Sequence, residues 1–289
     1  MSIVSHHRVR DIADRFDALI LDLWGVVMDG TTPYDGAREC LAELRARGKR
    51  IIFLSNAPRR EWMVAERLAG MGIGEELYDR IVSSGEVSHQ ALKAREGGFA
   101  NFGRRYHYLG PARDANLLDD LDYRAAPLNE ADFLLNIGIE DDDDTLDKYQ
   151  LVLSDAAARA LPMVCTNPDR VVVRHSGQRV LCAGALADSY AALGGPVHYF
   201  GKPHAAVYVA CFALLDDAPR ERVMAIGDSL ETDIAGAAAF DLETVLVLGG
   251  ILAEPLGIAW GELAPPERIE NLCAERGVMP DRAIPALIW

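Results

Sequence analysis

Four short segments carry the side chains of this 289-residue chain that could do chemistry together. They are Asp22, the pair Ser55 and Asn56, Lys202 in Gly201-Lys202-Pro203, and the run from Asp228 to Asp233 in G227-D-S-L-E-T-D233. Each follows an apolar run that is typical of a buried strand. In a parallel sheet, the loops after the strands meet at one edge, so we expect the four segments to lie together. Carboxylates, an ammonium group and hydrogen-bond donors gathered there can hold a cation and an anion side by side.

Each segment taken alone has an ordinary structural explanation. An aspartate at a strand end is often a turn or helix cap, Ser-Asn is common in loops, and Gly-Asp-Ser is a common turn. All four segments nevertheless close a predicted strand. It is this shared placement that predicts a functional site.

The elements that must position these residues follow from the spacing of apolar residues. Between residues 16 and 82, buried runs alternate with helical periodicity, a pattern typical of β-α-β units around a parallel sheet. The predicted strands are 18–22, 50–55 and one near Ile81. The predicted helices are one with Ala37, Cys40, Leu41 and Leu44 on its apolar face and Gly48 as its stop, one over about 59–69, and one opened by the capping box S83-S-G-E86 and ended by Gly97 and Gly98.

The pattern changes between about residues 100 and 195, where short strands at 105–109, 132–136 and 163–166 are separated by polar loops and helices. We interpret this stretch as an inserted α/β domain. Core alternation resumes with strands at 197–200, 223–226 and 243–248, followed by a helix over about 266–276 and the apolar end 283–289. We therefore expect a core made of residues 1–97 and 197–289, with a second domain at residues 98–196.

Composition excludes several classes of function. The 44 acidic and 29 basic residues give a net charge of −15, which would repel a nucleic-acid backbone. The five cysteines are odd in number and scattered, and the seven histidines show no metal-ligand spacing, so we predict neither disulfides nor zinc. The chain contains no uninterrupted run of about 18 apolar residues, which is the length that predicts a membrane-spanning helix. We expect a soluble cytoplasmic protein with no nucleic-acid or membrane partner.

Asp22, Ser55, Lys202 and the segment G227-D-S-L-E-T-D233 resemble motifs I to IV of the haloacid dehalogenase superfamily of phosphohydrolases. The long insertion before Lys202 resembles the class IIA cap of the NagD-like and phosphoglycolate or pyridoxal phosphatase group, and T166-N-P-D169 looks like a loop typical of that cap. The resemblance covers the chain from about residue 16 to residue 250. It implies an α/β fold with a Rossmann-like parallel-sheet core and an inserted C2-type α/β cap. It also implies dependence on Mg²⁺, an aspartyl-phosphate intermediate, a small phosphorylated metabolite as substrate, and a homodimer formed through the cap.

The chemistry of the matching residues agrees with these implications. Asp22 is the expected nucleophile, because a carboxylate needs no deprotonation at neutral pH and its acyl phosphate is labile to water. Asp22 and Asp228 can share Mg²⁺ with a backbone carbonyl, which the resemblance assigns to Trp24, while Lys202 adds a compact positive charge. Ser55 and Asn56 are expected to donate to phosphate oxygens. Asp233 is expected to hold a metal-bound water or to orient Lys202.

Trp24 departs from the family pattern. The residue two positions after the nucleophile is usually an aspartate that protonates the leaving oxygen and then activates water. A tryptophan keeps the backbone carbonyl and loses the proton transfer, which is typically worth about 10²- to 10⁴-fold in rate. Three interpretations follow: a slow phosphatase or one restricted to good leaving groups, recruitment of another acid such as Asp29, or a domain that binds and senses phosphate esters without turnover.

Three further features have both a functional and a structural interpretation, and a fourth is interpreted as structural. Asp169 could select the leaving group from the cap or simply form a turn, and Arg59 and Arg60 could attract an anionic substrate or lie solvated at a helix start. The acidic run 140–144 is expected to be a solvated helix start near Thr145 rather than a metal site. The small residues of segment 181–190 predict a helix that packs closely on a neighbour.

Overall fold

The structure is a computed structural model of the chain, and it describes residues 3–173, 179–216 and 218–289. Its strands are β1 (Val4–Ser5), β2 (Ala18–Leu21), β3 (Arg50–Ser55), β4 (Arg80–Ser83), β5 (Arg105–Leu109), β6 (Arg124–Ala125), β7 (Phe133–Asn136), β8 (Met163–Cys165), β9 (Val171–Val173), β10 (Arg179–Leu181), β11 (Val197–Tyr199), β12 (Val223–Gly227), β13 (Glu243–Val247) and β14 (Arg282–Ile284). Its α-helices are α1 (Arg10–Ala13), α2 (Ala37–Ala46), α3 (Glu61–Gly70), α4 (Ser84–Ala94), α5 (Leu146–Ala158), α6 (Ala183–Ala192), α7 (Ala205–Leu214), α8 (Ala235–Ala239), α9 (Ala253–Leu256) and α10 (Pro266–Arg276).

Short helical turns complete these elements. In the part of the chain that the structure describes, five are 3₁₀ turns, at Glu75–Leu77, Gly97–Phe99, Ala112–Asp114, Leu128–Glu130 and Arg220–Arg222, and a π-helical turn covers Leu230–Ile234. Within the described residues, no helix combines the length and the apolarity that crossing a bilayer requires.

The chain forms two compact units. The first consists of Met1–Ser55, Ala65–Val82 and Lys202–Trp289, and the second of Asn56–Val64 and Ser83–Gly201. The domain limits expected from the sequence, at residues 97 and 196, stay a prediction.

The first unit is built on a sheet with strand order β1-β14-β13-β12-β2-β3-β4. β2 pairs in parallel with both β12 and β3, and all four of its residues are buried, as the apolar run predicts. Helix α2 buries Ala37, Cys40, Leu41 and Leu44, the four residues of its predicted apolar face. A parallel sheet covered by amphipathic helices is the α/β core that the alternating pattern indicates.

The second unit has its own parallel sheet, with order β11-β8-β7-β5-β6, and a separate antiparallel pair, β9 and β10. One apolar cluster beneath the sheet includes Leu134, Met163 and Leu186, and a second includes Phe102, Phe133 and Leu135. Helix α6 buries Ala183, Gly184, Leu186, Ala187 and Tyr190, so the small-residue segment packs as predicted.

Two predictions about this unit need correction. The strand at 197–200 exists as β11, but it pairs with β8 in the second sheet and not with the core sheet. Its three residues are all partly exposed. The apolar pattern of the sequence therefore does not indicate which sheet the strand joins. Helix α4 ends at Ala94, with Arg95 in the left-handed conformation at φ 54°, before the two glycines that were expected to end it.

Candidate active site

Neighbouring strands of the first unit bring the predicted motifs to one edge of the sheet. In the parallel register, Leu21 lies beside Ile226 of β12 and Phe53 of β3. Asp22 follows β2, Ser55 is the last residue of β3, and Asp228 follows β12. The strand ends therefore place these residues together, as the pattern predicts.

Lys202 lies between two of the carboxylates. Its Nζ is 2.6 Å from Oδ1 of Asp22 and 2.6 Å from Oδ1 of Asp233. Only 3% of Lys202 is exposed. The second oxygen of Asp233 accepts a hydrogen bond from the backbone N–H of Ser229 at 3.2 Å. Asp233 was expected either to hold a metal-bound water or to orient Lys202. Its 2.6 Å contact with Nζ of Lys202 fits the second role.

The charges of this buried cluster depend strongly on one another. Burial raises the pKa of Asp22 well above its ordinary value, Asp233 and Asp228 add to the rise, and Lys202 opposes it. For Lys202, burial disfavours the charged form, but the Asp22 and Asp233 carboxylates outweigh burial and raise the pKa. Lys202 is therefore a permanent cation, and the cluster carries more acid than this one cation neutralises.

The carboxylate of Asp228 is enclosed by backbone. Its Oδ2 accepts a hydrogen bond from the N–H of Ile251 at 2.8 Å. A Cβ placed on Gly25 would lie 1.8 Å from this oxygen, and one on Gly250 would lie 2.2 Å from it. The two loops can approach Asp228 this closely only because both residues are glycine.

The acidic residues fit a divalent cation. Asp22, Asp228 and Asp233 are all buried, and each offers a carboxylate oxygen such that the three atoms lie within 4.8 Å of one another. Three carboxyl groups against one ammonium give the cluster an excess of acid, and hard divalent cations prefer oxygen ligands. A cation there would also lower the raised pKa of Asp22 again.

The indole of Trp24 packs against the loop that follows it. A Cβ on Gly30 would lie 2.0 Å from Cη2 of Trp24, so the ring lies directly on this glycine. The guanidinium of Arg67 lies 5.8 Å from the ring centroid and donates to the carbonyl oxygen of Gly30. Gly30 and Arg67 thus hold the Trp24 ring in place.

Asp29, the alternative acid considered from the sequence, is engaged by its own turn. Its Oδ1 accepts from the N–H of Thr31 at 2.8 Å, from the hydroxyl of Thr31 at 2.7 Å and from the N–H of Thr32 at 2.8 Å. Its Oδ2 is 3.3 Å from the hydroxyl of Thr32. These contacts fit a turn anchor better than a proton donor to a leaving group.

Ser55 and Asn56 are both buried. Ser55 ends the strand in the first unit, and Asn56 opens the second unit. The Nδ2 of Asn56 donates to Oδ1 of Asp169 at 2.8 Å. Two residues that the sequence assigned to separate roles are therefore direct partners within the second unit.

Arg59 and Arg60 are bound in ion pairs of the second unit. Arg59 donates to both oxygens of Asp114, at 2.7 and 3.1 Å. Arg60 lies 2.6 Å from Glu86 and 3.1 Å from Asp120. Both residues precede helix α3, which begins at Glu61. Because both guanidinium groups are paired with carboxylates, the structure favours neither solvated residues in a helix turn nor arginines that attract an anionic substrate.

The acidic run 140–144 precedes α5, which begins at Leu146, as predicted. Lys148 lies 2.9 Å from Glu140 and 2.8 Å from Asp144. Lys148 lies four residues after Asp144 on the first turn of α5, so its pairing with these acids fits the expected helix start.

Sequence reasoning missed an aromatic pair near Asp228. The rings of Tyr34 and Trp260 stack with centroids 3.8 Å apart and an interplanar angle of 13°. Burial, followed by the Asp228 and Asp29 carboxylates, raises the pKa of Tyr34 to about 12. A Cβ on Gly249 would lie 2.7 Å from the Trp260 ring. Gly249 and Gly250, which follow β13, were the sequence signal for this aromatic pair, because two glycines at a strand end indicate a close approach to the backbone.

Comparisons with known proteins place the chain in a family. A family model described as haloacid dehalogenase-like hydrolase matches residues 19–124, and a second, HAD-hydrolase-like model matches residues 199–268. The sugar-phosphatase AraL of Bacillus subtilis strain 168 is 30% identical over 241 residues, which cover 80% of this chain and 83% of that protein.

Solved structures show the same fold. A haloacid dehalogenase-like hydrolase from Brucella suis 1330 is 32% identical, with a TM-score of 0.82 over 97% of this chain and 99% of that one. The glycerol phosphate phosphatase Rv1692 of Mycobacterium tuberculosis, solved in complex with calcium, is 25% identical, with a TM-score of 0.63 over 83% of this chain and 68% of that one.

A parallel-sheet α/β core whose strand ends gather a buried lysine and three carboxyl groups is typical of a phosphohydrolase of the haloacid dehalogenase kind. The chain belongs to the haloacid dehalogenase-like hydrolases. Within them it is a phosphatase of the class IIA, NagD-like group, as the resemblance predicts.

Proposed function

We propose that the protein is a Mg²⁺-dependent phosphohydrolase that transfers the phosphoryl group of a small phosphorylated metabolite to Asp22 and then to water. The observation that carries the proposal is the placement of Lys202 at 2.6 Å from both Asp22 and Asp233 inside a cluster of three buried carboxylates. A pure anion-binding site would gain nothing from a carboxylate facing the anion.

Asp22 does the covalent chemistry in this proposal. One carboxylate oxygen forms a bond to phosphorus while the bond from phosphorus to the ester oxygen breaks. The leaving oxygen departs with that electron pair as an anion, and it takes a proton from solvent water where its pKa is high enough to need one. Water then attacks the acyl phosphate, releases inorganic phosphate and restores the carboxylate. Lys202 stabilises the negative charge on the transferring group, and Ser55 donates a hydrogen bond to one of its oxygens.

Asp22, Asp228 and the backbone carbonyl of Trp24 are the proposed Mg²⁺ ligands, and Asp233 orients Lys202. Mg²⁺ supplies charge neutralisation, which lets an anionic ester approach an anionic nucleophile. The acid excess of the cluster supports this assignment.

Trp24 limits the substrates that can be turned over quickly. The indole cannot protonate a leaving oxygen, and the Asp29 carboxylate is engaged by Thr31 and Thr32. We therefore expect acyl, anomeric or aryl phosphates, whose leaving groups need little protonation, to be turned over faster than alkyl phosphates. The difference should be about 10²- to 10⁴-fold, the usual size of a general acid-base contribution.

The named activities of the relatives narrow the substrate class. They are a sugar-phosphatase and a glycerol phosphate phosphatase. We propose a small phosphorylated sugar or related polyol derivative, with an anomeric sugar phosphate satisfying both the relatives and the leaving-group argument.

A phosphate-ester sensor without turnover was the alternative from the sequence. It gains no support from these comparisons, since the relatives described above are named as phosphatases. The intact Asp22–Lys202–Asp233 arrangement also favours turnover.

Compartment and assembly complete the proposal. All five cysteines are free and buried, which favours the reducing cytoplasm. A homodimer formed through the second unit, as the family resemblance implies, is part of the proposal.

The test of this function is phosphate release with Mg²⁺ across esters graded by leaving-group pKa, from acetyl phosphate and aryl phosphates to alkyl sugar phosphates. We expect release to depend on Asp22 and to fall steeply as the leaving-group pKa rises. Binding of these esters without any phosphate release would overturn the proposal and leave the sensor.

A further inference from the structure

We propose that Tyr34 and Trp260 form an aromatic clamp that positions the Asp228 carboxylate for Mg²⁺. The aromatic clamp connects the loop after β2, residues 22–36, to the segment after β13, residues 249–260. Both of these stretches contact Asp228, and all of these residues belong to the first unit. The inference rests on the proposed function, because it assigns a role at the proposed metal site. Tyr34 and Trp260 act on the cation only through Asp228, so they are positioning residues.

The two rings of the aromatic clamp are stacked. Their centroids are 3.8 Å apart, and their planes differ by 13°. Aromatic pairs attract each other beyond the burial of their surface, so the stack holds the two stretches of chain against each other. Burial raises the pKa of the Tyr34 phenol, and the Asp228 carboxylate adds to the rise, so the phenol lies within electrostatic reach of that acid.

The Tyr34 end of the aromatic clamp is connected to Asp228 through Gly25. The N–H of Tyr34 donates to the carbonyl of Val27 at 2.9 Å, and the N–H of Gly25 donates to the carbonyl of Met28 at 3.0 Å. The loop after β2 is thus folded on itself, and the position of Tyr34 is coupled to that of Gly25. A Cβ on Gly25 would lie 1.8 Å from Oδ2 of Asp228, so this loop contacts the carboxylate directly.

The Trp260 end is connected to the same carboxylate oxygen through three consecutive residues. A Cβ on Gly249 would lie 2.7 Å from Cε3 of Trp260, so the ring packs on this glycine. A Cβ on the next residue, Gly250, would lie 2.2 Å from Oδ2 of Asp228. The N–H of Ile251 donates to that oxygen at 2.8 Å. The Trp260 ring therefore supports the residue that directly precedes the two contacts with Asp228.

The segment that carries Trp260 is itself anchored. Leu252 and Leu256 are buried in one apolar cluster with Ala264, and these residues flank Trp260 in the chain. The N–H of Gly249 donates to the carbonyl of Pro285 at 2.9 Å. A positioning group needs support of this kind, because a ring on a loose segment would fix nothing.

The consequence for the cation follows from the geometry around Asp228. Gly25, Gly250 and the N–H of Ile251 all contact Oδ2, which leaves the carboxylate little freedom to turn. Mg²⁺ demands nearly ideal octahedral geometry, so a ligand that is already oriented binds it more tightly. Without the stack, the two stretches can separate, and the freedom that Asp228 gains must be lost again when Mg²⁺ binds.

The test is a double-mutant cycle with Trp260→Ala, Tyr34→Ala and the combined variant. The Kd for Mg²⁺ is measured by isothermal titration of the full chain without substrate. We expect each single variant to weaken Mg²⁺ binding about tenfold, the lower end of the usual effect of a supporting contact. The combined variant should bind about as weakly as either single variant, because the loss of one ring already opens the aromatic clamp.

Conservative variants and a control separate positioning from stability. Tyr34→Phe and Trp260→Phe keep an aromatic ring, and both should bind Mg²⁺ within about threefold of wild type. Trp62→Ala removes a tryptophan of the second unit that is 55% exposed, and it should leave the Kd unchanged. Tyr34 and Trp260 are both partly exposed, so their replacement should leave the core intact. Thermal unfolding without divalent cation checks that each variant is folded, and Tyr34→Ala decides alone if Trp260→Ala does not fold.

Unchanged Mg²⁺ affinity in the alanine variants would overturn the aromatic clamp. Additive losses would also overturn it, since each ring would then act independently, and so would phenylalanine variants that bind as weakly as the alanine variants.

Asp228→Asn distinguishes these outcomes from a failure of the proposed function. If this variant binds Mg²⁺ as wild type does, or if wild type binds none, the proposed metal site is wrong and the aromatic clamp is overturned with it. If Asp228→Asn loses binding while the alanine variants at Tyr34 and Trp260 retain it, only the aromatic clamp is overturned. The titrations need no turnover, so a wild type that binds Mg²⁺ without releasing phosphate contradicts the proposed function alone.

Discussion

At the scale of single residues, two positions in one loop set the chemistry. In the proposed mechanism, Asp22 supplies a buried carboxylate held by Lys202, and Trp24 takes the place that the family resemblance gives to a proton-transferring aspartate. The first residue makes a covalent route available, while the second removes an aid to both halves of that route. Substitutions at these two positions should therefore have different signatures.

Asp22→Asn should abolish turnover without unfolding the protein. We expect phosphate release to fall by about 10³-fold or more, as removal of a nucleophile does. Lys202 keeps Asp233 at 2.6 Å, and one of three mutually repelling carboxylates is gone. The midpoint of thermal unfolding, measured by calorimetry without divalent cation, should stay the same or rise. A large fall would contradict the view that the cluster carries excess acid.

Trp24→Asp should restore turnover of alkyl phosphates. The new carboxylate can protonate a leaving oxygen, so the ratio of alkyl to aryl turnover should rise by about 10²-fold or more. Trp24→Ala is the matched control, because it removes the ring from Gly30 without adding an acid. Steady-state kinetics on the ester panel measures the ratio. Equal gains in both variants would show that the ring obstructs the substrate and that the missing acid is not the limit.

At the scale of elements, the loops that follow the strands do the positioning. Asp228 is set by β12, by the N–H of Ile251 and by the close approach of Gly25 and Gly250. The acid therefore has little freedom to move when a cation binds. Metal-binding groups are usually held in place by such contacts. Removal of a supporting contact typically lowers the affinity for the metal by about 10- to 100-fold.

Gly250→Ala should weaken Mg²⁺ binding. Its Cβ would lie 2.2 Å from Oδ2 of Asp228, so the carboxylate or the loop must shift. We expect a loss of about 10- to 100-fold in Mg²⁺ affinity by isothermal titration. Gly70→Ala in helix α3 is the matched control, because no atom lies within 4 Å of its Cβ position. An unchanged Mg²⁺ affinity in Gly250→Ala would contradict the role of this loop.

The alternating pattern made much of the core and of the site predictable. The bounds of β3 and α10 and the buried face of α2 follow from local periodicity, and the motif residues follow from their position at strand ends. Contacts over long sequence distances were not predictable. Arg59 pairs with Asp114, which lies 55 residues later in the chain. The three residues of β11 are partly exposed, and their pattern does not indicate which sheet they join.

The place of the Trp24 ring was equally hidden from the sequence. Its contacts with Gly30 and Arg67 depend on how the loop folds back, which no periodicity encodes. The partnership of Asn56 and Asp169 joins residues 113 apart for the same reason. The sequence could identify these residues by type, but the fold decides their partners.

At the scale of the whole molecule, the acid excess links metal binding to stability. A ligand that binds only the folded state stabilises it by about 2.7 kcal/mol at a concentration of 100 times its Kd. Saturating Mg²⁺ should therefore raise the midpoint of thermal unfolding by several degrees, and a chelator should reverse the rise. Asp228→Asn should lose most of this shift. An equal shift in that variant would place the cation elsewhere.

The central claim is that the phosphoryl group passes through Asp22. Because Trp24 cannot activate water for the second step, the aspartyl phosphate should accumulate during turnover of a substrate with a good leaving group. The most direct measurement is rapid acid quenching of the enzyme with acetyl phosphate and Mg²⁺, followed by mass spectrometry of the peptide that contains Asp22. We predict a phosphoryl adduct on Asp22 that appears within the first turnover and is absent in Asp22→Asn. Steady phosphate release by wild type with no adduct at any quench time, or equal release by Asp22→Asn, would contradict the account.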